Sequence, residues 1–186
     1  ALFLQTSNMS EKAVGYTTIG GDLEGGLSVI ANLPKTVVIH LLEYLRTTEK
    51  LPGLDLVLAH PAGPELAPDQ EGERELMPFR VLDTCFALFA NEKMASDELS
   101  NVLVSLFPEF PRAIVTGWAE RFSRLFTSSI YKWVQAPLAL HVGSLTCIGA
   151  YVSSHKGKDY DLPALGAGVA PVVSVTTSGG DTVDDV

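Results

Sequence analysis

The first 35 residues constrain the fold more than any other part of the chain. A short apolar run, Leu2-Phe3-Leu4, reads as a buried strand. It ends in Thr6-Ser7-Asn8, small polar residues that turn the chain and present hydroxyls and backbone N–H groups. A carboxylate, Glu11, follows, and the stretch Tyr16-Thr17-Thr18-Ile19 leads into a glycine turn, Gly20-Gly21-Asp22. A helix then starts near Pro34-Lys35. Strand, polar turn, carboxylate, glycine turn and a lysine at a helix start are the parts of a nucleotide site on an α/β scaffold.

Beyond this opening the pattern is helical. Residues 34 to 47 carry an apolar stripe, Val37, Val38, Leu41, Leu42 and Leu45, with Lys35, Glu43 and Arg46 off it. Leu54 to Leu58 reads as a short strand or extended segment. Residues 60 to 75 hold three prolines, two glycines and five acidic side chains, so they read as a long mobile loop. Three helices follow. Residues 79 to 91 place Val81, Leu82, Cys85, Phe86 and Phe89 on one side. Ser96-Asp97-Glu98 caps and charges a second helix through Leu106. A third, from about Pro111 to Phe126, turns Val115, Trp118, Phe122 and Leu125 inward and Arg121 and Arg124 outward. Residues 162 to 186 are rich in Gly, Ala, Val, Ser and Thr without an aromatic residue, and are expected to be poorly ordered.

Composition narrows the function classes. The 186 residues suffice for one sizeable core. A formal charge of −9 argues against a nucleic-acid surface, which needs clustered Lys and Arg. No apolar run reaches the roughly 18 residues of a membrane span, and no charged-then-apolar leader opens the chain. Cys85 and Cys147 have no metal or redox spacing, so a reducing cytoplasm is the expected location. His40, His60, His141 and His155 share no metal-ligand spacing. Ser178-Gly179-Gly180-Asp181-Thr182 superficially suggests a phosphate loop but has no following helix to anchor phosphate.

Four segments occur in an order that matches a known family: Thr6 through Lys35; His60 to Gln70, ending Pro68-Asp69-Gln70; Leu76-Met77-Pro78-Phe79-Arg80-Val81-Leu82-Asp83; and Arg121 to Trp133 with Leu140-His141-Val142-Gly143. Residues 1 to about 145 resemble the C-terminal part of the synthetase domain of NAD synthetase, in particular the glutamine-dependent bacterial type. The resemblance implies a partial adenine-nucleotide-alpha-hydrolase-like (Rossmann-like) α/β domain, mostly helical here, and leaves residues 146–186 as a divergent tail. The family's Ser-Gly-Gly-x-Asp-Ser pyrophosphate loop does not occur in residues 1–145, nor does a glutaminase domain, so the chain reads as the last part of a larger protein. Gly26, Ile19 and Gly63 stand where the smaller ammonia-dependent enzymes have aspartate, lysine and threonine, which favours the glutamine-dependent subgroup.

The reaction so implied is ATP-dependent amidation of deamido-NAD to NAD through an adenylated intermediate, with Mg²⁺ and with ammonia from glutamine. Positioning and charge neutralisation carry such chemistry. By resemblance, Thr6 and Lys35 contact ATP, and Glu11 binds magnesium or deamido-NAD. Tyr16, Thr17, Thr18, Ile19, Asp22 and Lys132 line the deamido-NAD site, and a homo-oligomer is implied. Each has a plainer reading. Asn8 to Glu11 has capping-box spacing, Thr6 can be a strand-end hydroxyl, Tyr16 to Ile19 an extended segment, and Asp22 a turn residue. Lys35 and Lys132 can be solvated. Alternatively the chain is a catalytically inactive fragment that acts as a helical binding or oligomerisation module.

Overall fold

A computed structural model describes residues 1–63 and 70–140. The expected disordered tail, Cys147, His141, His155 and the Ser178 to Thr182 stretch lie outside the described residues. Two very short parallel strands, β1 (Leu4–Gln5) and β2 (Leu27–Ser28), pair in the register Leu4 to Leu27 and Gln5 to Ser28. Ala139 adds a parallel bridge to Ser28 on the far side. Helix α1 (Met9–Ala13) leaves the carboxyl end of β1 after the turn at Thr6 and Ser7. Leu2, Phe3 and Leu4 are exposed by 70, 63 and 44 %, so the reading of a buried apolar strand is corrected. Gln5 and Ser7 carry the burial instead, because their polar ends are satisfied by the glycine turn.

Helix α2 (Lys35–Thr47) starts directly after Pro34, as the sequence predicts. Its apolar stripe is less covered than expected: no residue of α2 is fully buried, and Val37 and Leu41 are each 44 % exposed. Leu54 to Leu58 is not a strand. It lies in helix α3 (Leu54–Ala59), which follows Gly53 in a left-handed conformation at φ 84° and is tied to α2 by Arg46 Nη1 and Asp55 Oδ1 at 3.2 Å. Among the described residues of the expected loop 60–75, Gly72–Glu75 form a helical turn, α4.

The core is helical and aromatic. Helix α5 (Phe79–Phe86) runs into a π-helical turn (Ala87–Asn91), so the predicted 79–91 helix is present with a wider last turn. Helix α6 (Ser96–Leu106) begins after Ala95 rather than being capped by Ser96; Glu98 reaches back to accept the Ala95 N–H at 2.9 Å. Ser96 instead meets Ser123 on α7 (Arg112–Ser128), Oγ to Oγ at 3.1 Å, and Ser100 donates to Thr116 at 3.2 Å. These cross-links run early-to-late and late-to-early, so α6 and α7 are antiparallel. Phe86, Phe89, Phe122 and Phe126 stack edge-to-face or tilted around the seam, with centroids 5.3 to 6.0 Å apart. Such geometry exceeds simple area burial in stability. A short last helix, α8 (Ile130–Trp133), brings Trp133 onto Phe126 at 4.6 Å and its indole N–H onto the Lys12 carbonyl at 2.7 Å. That contact ties the helical core to α1. Among the described residues no helix is long and apolar enough to cross a membrane.

Candidate functional site

The polar turns at the carboxyl ends of β1 and β2 are where an open parallel sheet presents its ligand crevice. Thr6 is exposed there, directly after β1. Beneath it runs a buried polar chain. Lys12, 6 % exposed, donates through its ammonium to Ser28 Oγ at 2.8 Å; Ser28 donates to Gln5; and the Gln5 amide donates to the Asp22 carbonyl. This network fixes the glycine turn from below.

Glu11 forms the capping box read from its spacing to Asn8. Its amide donates to Asn8 Oδ1 at 3.1 Å and its carboxylate accepts the Asn8 N–H at 3.2 Å, completing a capping box. Its other oxygen, Oε1, lies 3.1 Å from Lys35 Nζ. Both side chains are part-exposed, 25 and 18 %. Lys35 also lies over the Phe79 ring, 5.6 Å from its centroid.

Lysine in a first helical turn opposes the helix dipole, and Pro34 supplies no side-chain cap. Help arrives from elsewhere in the chain. Ser10 Oγ accepts the Lys35 N–H at 2.7 Å and donates to Asp83 on α5. The other Asp83 oxygen accepts Thr36 N–H and Thr36 Oγ–H at 2.9 and 2.7 Å. Burial pushes the Asp83 carboxyl above the usual carboxylate range, and its bonds from Ser10 and Thr36 oppose that shift. Asp83 was visible in the sequence only as the end of the Val81-Leu82-Asp83 run; nothing local marks it as a cap for Thr36, 47 positions earlier.

The Tyr16 to Ile19 stretch forms no strand. It is held as an irregular turn at four points. Lys132 Nζ donates to the carbonyls of Gly15 and Thr17 at 2.7 and 2.6 Å, so the lysine grips the backbone of this stretch. Asp22 Oδ2 accepts the Thr18 N–H at 2.9 Å, the turn role read from sequence. Gly15, at φ 65°, sits against Ser129 so closely that a Cβ would lie 2.2 Å from Ser129 Oγ. Tyr16 donates to Glu75 on α4, which also accepts from Gln70 at 2.9 Å. Burial and the Glu75 carboxylate push the Tyr16 phenol up to about 12, while the bonds from Tyr16 and Gln70 hold Glu75 below its ordinary value. Arg121 donates to the Glu75 carbonyl. Thr17 is 8 % exposed, and its Oγ1 has no hydrogen-bond partner among the described residues. Thr18 and Ile19 point their chain to solvent, Ile19 with 55 % exposure.

Two of the residues read from sequence, Glu11 and Lys35, thus meet directly; Tyr16 to Asp22 and Lys132 form a second joined group. Among the described residues no hydrogen bond joins Thr6 to either set of side chains. Among the described residues no three His, Cys, Asp or Glu side chains gather to hold a metal.

These features define an α/β protein in which a two-stranded parallel sheet leads into polar turns. The family model for NAD synthase matches residues 1–109. A glutamine-dependent NAD(+) synthetase of Acinetobacter baylyi is 30 % identical over 144 residues, covering 77 % of this chain and 25 % of that protein. One from Aquifex aeolicus is 32 % identical over 164 residues, covering 87 and 25 %. The crystal structure of a glutamine-dependent NAD(+) synthetase from Cytophaga hutchinsonii superposes with a TM-score of 0.62 at 23 % identity, covering 83 % of this chain and 26 % of that one. The chain belongs to the NAD synthase family. Its fold is part of the adenine-nucleotide-alpha-hydrolase-like synthetase domain, mostly helical, with a small parallel sheet. It spans about a quarter of the length of the curated relatives it matches.

Proposed function

We propose that this chain supplies one wall of a synthetase site that amidates deamido-NAD to NAD with ATP, through an adenylated intermediate, using ammonia from glutamine. The observation that carries the reading is the Lys35–Glu11 pair: two residues 24 positions apart converge to 3.1 Å beside the carboxyl end of β1. Lys35 and Thr6 then serve ATP, the ammonium exchanging Glu11 for phosphate oxygen as the nucleotide enters. Tyr16, Thr17, Thr18, Ile19 and Asp22 serve deamido-NAD. The buried Thr17 hydroxyl, unpartnered among the described residues, supports this, because such a group is stabilised by a hydrogen bond from a ligand. Lys132 acts on that substrate by holding the Gly15 and Thr17 carbonyls inward.

Glu11 fits magnesium as a single hard oxygen ligand, since a site of this ion draws on one or two carboxylates and leaves the rest to phosphates and water. With Oε2 already engaged by the Asn8 N–H, Oε1 is the oxygen free to turn from Lys35 to the ion. When bound with ATP, magnesium supplies neutralisation of phosphate charge. A homo-oligomer in the cytoplasm, made with further synthetase and glutaminase segments, completes the proposal.

The test joins the 186 residues to such a synthetase segment and measures AMP release with deamido-NAD, ATP, Mg²⁺ and ammonia. Lys35→Ala and Glu11→Gln each lower kcat/KM by at least about ten-fold, the loss of one charged hydrogen bond. Full activity in both variants overturns the assignment. The 186 residues alone release no AMP, and turnover by them alone would refute the one-wall reading.

A further inference from the structure

Lys35 is gripped by two successive residues of α1. Ser10 takes its backbone N–H and Glu11 takes its ammonium. What fixes Ser10 is the Asp83 carboxylate, which at the same time holds the N–H and hydroxyl of Thr36, the next residue of α2. Asp83 is buried and Ser10 is fully so, so neither is available to solvent or substrate directly. A carboxylate at the first turn of a 13-residue helix also offsets the unfavourable placement of a lysine there.

We propose that Asp83 is the positioning residue for Lys35: one carboxylate clamps α1 and α2 together through Ser10 and Thr36, and thereby sets where the Lys35 ammonium meets a nucleotide phosphate beside Glu11. This inference rests on the reading of Lys35 as an ATP contact. Asp83 touches no reactant; it acts through the two helix starts that frame the lysine. An asparagine cannot replace it, because Ser10 Oγ–H and both Thr36 donors need acceptors, and the amide offers a single oxygen with an NH₂ facing one of them.

Two measurements test it. In the full 186-residue chain, hydrogen exchange at the Lys35 and Thr36 amides speeds up at least about ten-fold in Asp83→Asn, while core amides such as Leu103 and Phe122 keep their protection. Unchanged exchange at Lys35 and Thr36 overturns the proposal. In the joined synthetase, Asp83→Asn raises the KM for ATP about ten-fold, as expected for loss of a charged hydrogen bond, with a smaller change in kcat. The same substitution made on Lys35→Ala adds less than about two-fold, since the residue it positions is gone. Effects that multiply in the double variant, or a fall in kcat at unchanged KM, overturn the proposal and leave the ATP role of Lys35 standing. A Lys35→Ala variant with the parent KM for ATP instead sinks that role, and the positioning function falls with it. Should Asp83→Asn fail to fold, Ser10→Ala carries the same comparison, because it removes the link from Asp83 to Lys35.

Discussion

Gly15→Ala is the sharpest probe of how the Tyr16 to Ile19 stretch is held. Two physical effects act together. At φ 65° an alanine adopts the left-handed region, which costs about 1–2 kcal/mol. Its Cβ would also lie 2.2 Å from Ser129 Oγ and 2.6 Å from Ser129 Cβ, so the turn or α8 must shift. Overpacking of that kind costs about 1–3 kcal/mol, giving a total of about 2–5 kcal/mol. That is a large fraction of the ~5–15 kcal/mol typical of a domain. Ser129→Gly removes both clashing atoms but not the φ penalty, and by itself costs at most about 1 kcal/mol. Urea unfolding followed by the emission of Trp118 and Trp133 measures all three variants. The expected result is that the double variant is more stable than the sum of the singles by at least about 1 kcal/mol, a coupling between touching residues. Additivity within about 0.5 kcal/mol would refute the close approach of Gly15 to Ser129.

Two further outcomes follow from the same region. Lys132→Met removes the donor shared by the Gly15 and Thr17 carbonyls, and is expected to loosen exchange at Tyr16 to Thr18 while shifting global stability by no more than about 1–2 kcal/mol. The KM for deamido-NAD then rises more than that for ATP, and an equal rise in both would count against a local role. Tyr16→Phe tests pH dependence. Because the Tyr16 bond holds Glu75 below its ordinary value, the stability from this pair is complete above the ordinary glutamate range and is lost as pH falls through the lowered value. The parent and Tyr16→Phe chains should therefore converge in stability on acidification, and a gap that persists below the lowered value contradicts the pairing.

Local chemistry accounts for what could be read without coordinates. Pro34 sets the start of α2, the Asn8 to Glu11 spacing sets the capping box of α1, and helical periodicity places Val115 and Phe122 in the core. The misreadings have nonlocal causes. Leu54 to Leu58 is short and mostly apolar, as a strand would be, yet is drawn into a helix docked on α2 through Asp55. Leu2 to Leu4 has strand composition, but the described sheet is too small to cover it. In the candidate site, Glu11, Lys35, Asp22 and Lys132 were picked out through the family resemblance. Their partners were not: Ser10 with Asp83, and Lys132 with the Gly15 and Thr17 carbonyls, join positions 73 and more than 100 apart, beyond any periodic signal.

The Ser28 bridge has a kinetic consequence. Ser28 receives a strand from each end of the described chain: Gln5 on one side, and on the other Ala139, with Ser28 N–H donating to Leu138 O at 2.8 Å and Leu140 N–H to Ser28 O at 3.0 Å. The antiparallel α6–α7 pair, in contrast, closes through neighbours in sequence. Short loops close early and long ones late, so the Ala139 bridge to Ser28, which spans the whole helical core in sequence, is expected to form after the helical pair. Changes at Leu138 should then speed unfolding with little effect on the folding rate, whereas changes at Leu103 or Phe122 slow folding itself. The Ala139 edge of the sheet is, on this order of events, the last of the described contacts to form and the first to open.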